Sequence, residues 1–297
     1  MRALPWHDRS LEEFESIRAS GRLPHGLLIH GPEGWGDRQL ANRMALRLLG
    51  LDELRDAREI AHPDLHWVQP DGAMIKVDEI RGLAAFAVGT RQSAPCKVAV
   101  VESAHLLNLN AANALLKTLE EPPRDTYLLL ATSRRGRLLP TIVSRCQGLR
   151  IYPDQALARR WLEELESAGE LDARLFEYGR APLPVADALA QTEALLGETL
   201  ARIGKSSSAA IEIVDLLSQD PDRLTGRWYR YCGALLAGES GLPGLGELQS
   251  LDRALLSGFV DELVTARRQL LFTNSANTRL LLERLAVRWR LVCQGAV

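Results

Sequence analysis

Gly26-Leu-Leu-Ile-His-Gly31-Pro-Glu-Gly34-Trp-Gly36-Asp37-Arg38 is the stretch from which the fold can be read. Leu27 to Ile29 form a short apolar run suited to a buried parallel strand, and Gly31 to Gly36 supply a tight turn into a helix. A phosphate-binding loop follows the pattern G-x-x-x-x-G-K-[ST]. Gly31 and Gly36 hold its two glycine places with Gly34 between them, but Asp37 stands where the lysine belongs and Arg38 where the magnesium-binding hydroxyl belongs. A unit charge pair about 4 Å apart is worth roughly 4 kcal/mol at an effective dielectric of about 20. Exchanging that attraction for the repulsion of Asp37 weakens phosphate binding by several factors of ten, at about 1.4 kcal/mol each. Asp37 suits its own helix, because a carboxylate in the first turn accepts free amides and favours the positive end of the dipole. The plain alternative is an ordinary strand-to-helix turn.

The 297 residues are enough for two or three domains, and 25% charged with 46% hydrophobic residues describes an ordinary soluble composition. A formal charge of −2 gives no global attraction to nucleic acid, so DNA contact would have to come from local basic patches. No apolar run of about 18 residues is present, and the charged opening does not read as a signal peptide, so a cytoplasmic protein without membrane contact is expected. Cys96, Cys146, Cys232 and Cys293 form no C-x-x-C pair, which argues against a zinc site or a disulfide framework. His62 and His66 are four apart, but Pro63 argues against a shared helix face.

Outward from the loop, Trp6 to Ser20 reads as an amphipathic helix with Ser10 as its cap, and Leu40, Met44 and Leu48 mark a buried stripe ending near Gly50. Strands are expected at Leu65–Val68, Lys97–Val101 and Tyr127–Ala131. Helices are expected over Ile75–Val88, which begins extended, over Asn108–Glu121 and over Leu138–Ser144. This alternation argues for a parallel sheet covered on both faces. After Pro153 the pattern turns helical, with Asp154–Ser167, Leu171–Tyr178 and Pro184–Leu189 as one small unit. A second unit runs from about Glu193 past a Ser206-Ser207-Ser208 turn and a glycine-rich loop at Gly238–Gly246 to a closing helix over Asn277–Arg290.

Glu102 and Ser103 follow the Lys97–Val101 strand, where a working ATPase of this loop type carries acidic residues for magnesium and water. Glu102 could hold a metal, whereas Ser103 cannot act as the base. The alternative is a strand end with one solvated carboxylate. Asn110 to Pro123 is the most specific run; Ala111, Ala112 and Ala114 permit close approach, and the prolines stop the helix. Arg134, Arg135, Arg137 and Arg145 suit phosphate oxygens of DNA or a nucleotide, or else serve as solvated cations and helix-end charges.

Leu23-Pro24-His25 before the G-P-x-G loop, the Asn110–Pro123 run, Ala131-Thr132 and Ser144-Arg145-Cys146 together resemble the clamp-loader branch of the AAA+ ATPases over residues 1 to about 150. Asn277, Leu280, Leu282 and Glu283 are similar to that family's last collar helix. With its nucleotide residues altered, the chain is more similar to the non-hydrolysing type of subunit than to the gamma/tau motor. The resemblance implies an α/β P-loop (AAA+) domain with a parallel sheet over 1–153, a small helical lid domain over 154–192 and an all-α collar domain over 193–297. It also implies a hetero-pentamer with gamma/tau and delta subunits, working on the sliding clamp and primer-template DNA within a DNA-directed DNA polymerase holoenzyme, a nucleotidyltransferase complex. Carried over, Arg145 is an arginine finger acting in trans between Ser144 and Cys146, a role worth roughly 10³ to 10⁵ in rate. Thr132 takes the sensor-1 place, Arg134, Arg135 and Arg137 become candidate DNA contacts, and no ATP, magnesium or zinc is expected on this chain. Two departures stand out: residues 50–62 lack the cysteines of a zinc module that many relatives carry, and Pro182 to Ala186 lie where a sensor-2 arginine is expected. A gamma/tau-like motor in which Arg38 replaces the lysine, and an AAA+ scaffold outside replication, are the other readings of these residues.

Overall fold

The computed structural model describes residues 2–72, 74–165, 171–191, 195–203, 213–216, 218, 220–239, 248, 251–272 and 277–295. The chain divides into two compact units, 1–164 and 165–297.

The first unit is built on strands β1 (Gly26–His30), β2 (Leu65–Val68), β3 (Lys97–Val101), β4 (Thr126–Thr132) and β5 (Gln147–Arg150), in the spatial order β2-β3-β4-β1-β5. Every pairing is parallel, so each return passes through a crossover, and the crossovers are the helices that cover the sheet. Helices α1 (Asp8–Ala19), α2 (Asp37–Leu49), α3 (Val77–Val88), α4 (Leu109–Glu120), α5 (Pro140–Val143) and α6 (Gln155–Glu163) belong to this unit. Leu28, Ala99, Val101, Leu128 and Leu130 pack with Leu83 of α3 and Leu115 of α4, while α2 lies against β3 and β4. The continuous apolar runs of β1 and β3 follow from this two-sided cover.

β5 is absent from the sequence expectations because Gln147, Gly148 and Arg150 are exposed and only Leu149 of the strand is buried. It is an edge strand, and α1 covers part of its open side, where Ser10 Oγ donates to the Arg150 carbonyl at 2.7 Å. Ser10 therefore is not the cap of α1. The cap position is His7, at the end of a 3₁₀ turn over Pro5–His7, and Ser10 sits buried one turn in. Asn108 caps α4 by accepting from the Ala111 amide at 2.8 Å, and the helix ends at Glu120 before the two prolines. His62 precedes β2 and His66 lies within it, so they share no helix face.

The second unit is helical in its described residues: α7 (Leu171–Glu177), α8 (Pro182–Ala190), α9 (Leu196–Ile203), α10 (Pro221–Ala237), α11 (Arg253–Phe272) and α12 (Thr278–Cys293). α8 begins at Pro182 rather than Pro184, since proline is tolerated at a first helical position. Trp228, Phe259 and Trp289 pack together in the core with their rings tilted or edge-on to one another, and Trp289 Nε1 donates to the Leu200 carbonyl at 3.1 Å. Fully buried Glu177 accepts from the Leu196 amide at 2.7 Å, the Tyr231 hydroxyl at 2.6 Å and the Arg227 guanidinium. That carboxylate ties α7 to the start of α9 and to α10. Asn277 caps α12 through the Leu280 amide. The Ser206–Ser208 turn and most of the Gly238–Gly246 loop lie outside the described residues. Among the described residues no helix is long and apolar enough to cross a membrane.

Candidate functional site

In open α/β sheets, ligands meet the carboxyl ends of the strands. Here that edge collects the Gly31–Gly36 loop after β1, Glu102 after β3 and Thr132 at the end of β4, where His30 pairs with Thr132. Gly31 is required by close approach, because a Cβ there would lie 2.7 Å from Ile151 Cβ. Gly36 has φ +89°, and a Cβ would come within 2.8 Å of Leu4 and 3.0 Å of His7.

That crowding shows how the loop is held. Trp6 Nε1 and His7 Nε2 both donate to the Trp35 carbonyl, each at 2.9 Å. Since a carbonyl only accepts, the His7 proton is on Nε2. Burial holds His7 down to about 4, partly offset by its bond to Trp35. Trp35 is itself buried and meets Trp6 edge-on at 5.5 Å, and Trp6 meets Trp161 at 5.4 Å. The loop is thus gripped from the N-terminal turn by side chains of its own chain.

Asp37 opens α2, and its carboxyl is raised above the ordinary range mainly by burial. Bonds from the Arg38 and Asp37 amides oppose the rise, while the charges of Glu102 and Glu33 add to it. An internal carboxylate therefore occupies amides at the start of the helix. Arg38 pairs with Asp56 at 3.3 Å, and Asp56 also takes Arg58 at 2.8 Å. The hydrogen bond from Arg58 is the largest influence holding the Asp56 carboxyl far below its usual range. Glu102 accepts from Trp67 Nε1 at 3.0 Å, and Ser103 turns the chain in the left-handed region at φ 52°. Thr132 is fully buried. Its Oγ1 accepts from the Arg134 amide at 3.1 Å and bonds His105 Nδ1 at 3.0 Å. Burial and then the charges of Arg134 and Arg137 lower the His105 pKa. Arg134 reaches Glu33 at 3.2 Å, while Arg135 and Arg137 are exposed. No group of three or more metal-ligating side chains occurs among the described residues.

Arg145 lies at the other end of the sheet. The Arg145 carbonyl is 3.3 Å from the place of a Cβ on Gly26, at the start of β1, whereas Gly31 abuts Ile151 beyond the end of β5. Five residues of strand separate the two by about 16 Å. Arg145 Nη1 donates to the Thr141 carbonyl at 3.0 Å and Nη2 to the Glu120 carboxylate, with the Arg145 side chain 34% exposed and that of Glu120 49%. Ser144 is exposed and donates to the same Thr141 carbonyl at 3.1 Å. Cys146 is part-buried, and burial pushes its thiol up to about 11, leaving it protonated and inert at neutral pH.

The structure therefore joins the loop, Asp37, Glu102 and Glu33 electrostatically and keeps Arg145 apart from them. Sequence reading missed Glu33, Asp56, Trp6, His7 and Glu120. The one available hint was the spacing of Trp6 and Trp35, two of six tryptophans, ahead of and within the loop.

The family model described as DNA polymerase III, delta subunit matches residues 6–155. A DNA polymerase III subunit delta′ of Pseudomonas aeruginosa is 33% identical, with 96% of each chain covered. A Bacillus subtilis protein of the same description is 38% identical over 48% of this chain and 47% of its own length. The crystal structure of a DNA polymerase III gamma subunit-related protein from Thermotoga maritima superposes with TM-score 0.55 at 18% identity, covering 94% of this chain and 99% of that one, which supports the AAA+ fold. With its parallel sheet and altered loop, a family model matched over residues 6–155 and a relative 33% identical with 96% of each chain covered, the chain belongs to the delta′ family of bacterial DNA polymerase III clamp-loader subunits.

Proposed function

We propose that this chain is a non-hydrolysing member of the clamp-loader ring that lends Arg145 to the ATP site of an adjacent gamma/tau-type subunit, and so helps place the sliding clamp on primed DNA. The opposite placement of Arg145 and the Gly31–Gly36 loop carries this reading, since a guanidinium at the amino edge of the sheet cannot serve a loop at the carboxyl edge of the same chain. A triphosphate with magnesium does not suit the residues at the loop. Asp37 sits on amides that phosphate would use, Glu33 and Glu102 add negative charge, and Arg38 is engaged by Asp56. This pairing also weighs against a motor in which Arg38 stands in for lysine.

The Arg145–Glu120 pair does not bar the finger role. Exposed ion pairs are worth about 0.2–1 kcal/mol, whereas an arginine finger contributes roughly 10³ to 10⁵ in rate. Residues 154–192 and 193–297 are read as lid and collar, gamma/tau and delta as ring partners, and exposed Arg135 and Arg137 with Arg134 as the DNA-facing group. In a reconstituted complex, Arg145→Ala is expected to leave assembly intact while depressing DNA-stimulated ATPase and clamp loading. Full activity in an assembled Arg145→Ala complex would refute the reading.

A further inference from the structure

Glu120 has no part in the loop, yet it closes on the one arginine that the proposed function needs. It is the last residue of α4, a helix fixed at its start by the Asn108 cap and along its length by buried Ala111, Leu115 and Leu119. Its carboxylate receives Arg145 Nη2, while Nη1 goes to the Thr141 carbonyl at 3.0 Å. Those acceptors come from two elements, α4 and α5, and they take hydrogens from two different nitrogens of one planar group.

We infer that Glu120 is a positioning residue for Arg145, holding the guanidinium in a fixed plane with donors left over for a partner's phosphate; this rests on the finger reading given above. Arginine carries five N–H donors in a rigid fork, of which Thr141 takes one from Nη1 and Glu120 one from Nη2. An oxyanion can therefore approach without either tether breaking. Holding the group also matters because a free arginine side chain loses rotamer entropy on docking, and a displacement of about 1 Å can cost on the order of 100-fold in rate. A lysine at 145 could not be held this way, having a single nitrogen.

A double-mutant cycle in the reconstituted complex tests this, using steady-state ATPase with primed DNA and varied ATP. Glu120→Ala is expected to lose most of the activity that Arg145→Ala loses, through kcat with KM little changed. Glu120→Gln, whose amide oxygen still accepts, is expected to retain most of it. Adding Glu120→Ala to Arg145→Ala should produce no further loss. Because the pair is exposed, assembly and melting temperature of Glu120→Ala should match the parent, which a merely structural role would not combine with lost turnover. If Arg145→Ala is impaired while Glu120→Ala is fully active, or if the two losses multiply, the positioning role is overturned and the finger stands. If Arg145→Ala itself is fully active, both fall.

Discussion

His7→Gln tests how the altered loop is held. His7 is fully buried, its Nε2 hydrogen is committed to the Trp35 carbonyl, and Nδ1 has no partner. A second proton would place a cation among apolar atoms and near Arg43, so the folded-state pKa is held at about 4 against 6.5 in the unfolded chain. A histidine lowered in this way contributes stability that is whole above pH 6.5 and is lost as the pH falls toward 4. One proton across that interval, at about 1.4 kcal/mol per pH unit, amounts to roughly 3 kcal/mol. In a unit of this size the corresponding shift is about 6–12 °C in Tm. Glutamine retains an N–H for Trp35 without titrating. Thermal unfolding between about pH 7 and pH 4 should therefore show the parent losing stability more steeply than His7→Gln by roughly that amount. Parallel pH profiles would refute the anchoring role assigned to His7.

Asp37→Asn should stabilise the first unit at neutral pH. A carboxyl raised in the fold favours folding below its unfolded pKa and loses that contribution as the pH rises through the folded value, so removing the charge removes the loss. Urea unfolding at neutral pH checks the sign, and a destabilised variant would contradict the cost assigned to burying the Asp37 charge and, after it, to the repulsion from Glu102 and Glu33. In the second unit, Glu177→Gln leaves the buried Arg227 cation without its countercharge, and breaking such a pair costs roughly 3–5 kcal/mol. A drop in the unfolding midpoint reported by Trp228 and Trp289 fluorescence is expected, and an unchanged midpoint would show that the network contributes little.

The sheet was legible where burial is two-sided. Lys97–Val101 coincides with β3, every residue of which is buried, whereas the edge strand β2 was placed at Leu65–Val68 by the His62-Pro63-Asp64 turn before it, although only its Val68 is buried. β5 was not legible, since an edge strand with polar exposed residues carries no periodic signal. Ser10 misled for a related reason: a serine near a helix start suits a cap, but tertiary contact with Arg150 took its hydroxyl instead. At the loop, sequence spacing identified the lost lysine and hydroxyl but not their replacements. Asp56 for Arg38, and Trp6 with His7 for Trp35, are contacts across 18 and about 28 residues that no local pattern encodes. The separation of Arg145 from its own loop likewise needed the strand register.

The loop's closure to nucleotide is tested most directly by calorimetric titration of the purified chain with magnesium-ATP. With Asp37 on the helix amides and Arg38 held by Asp56, no binding is expected at micromolar to submillimolar ATP. Micromolar binding accompanied by unaided hydrolysis would contradict it and make the chain a motor.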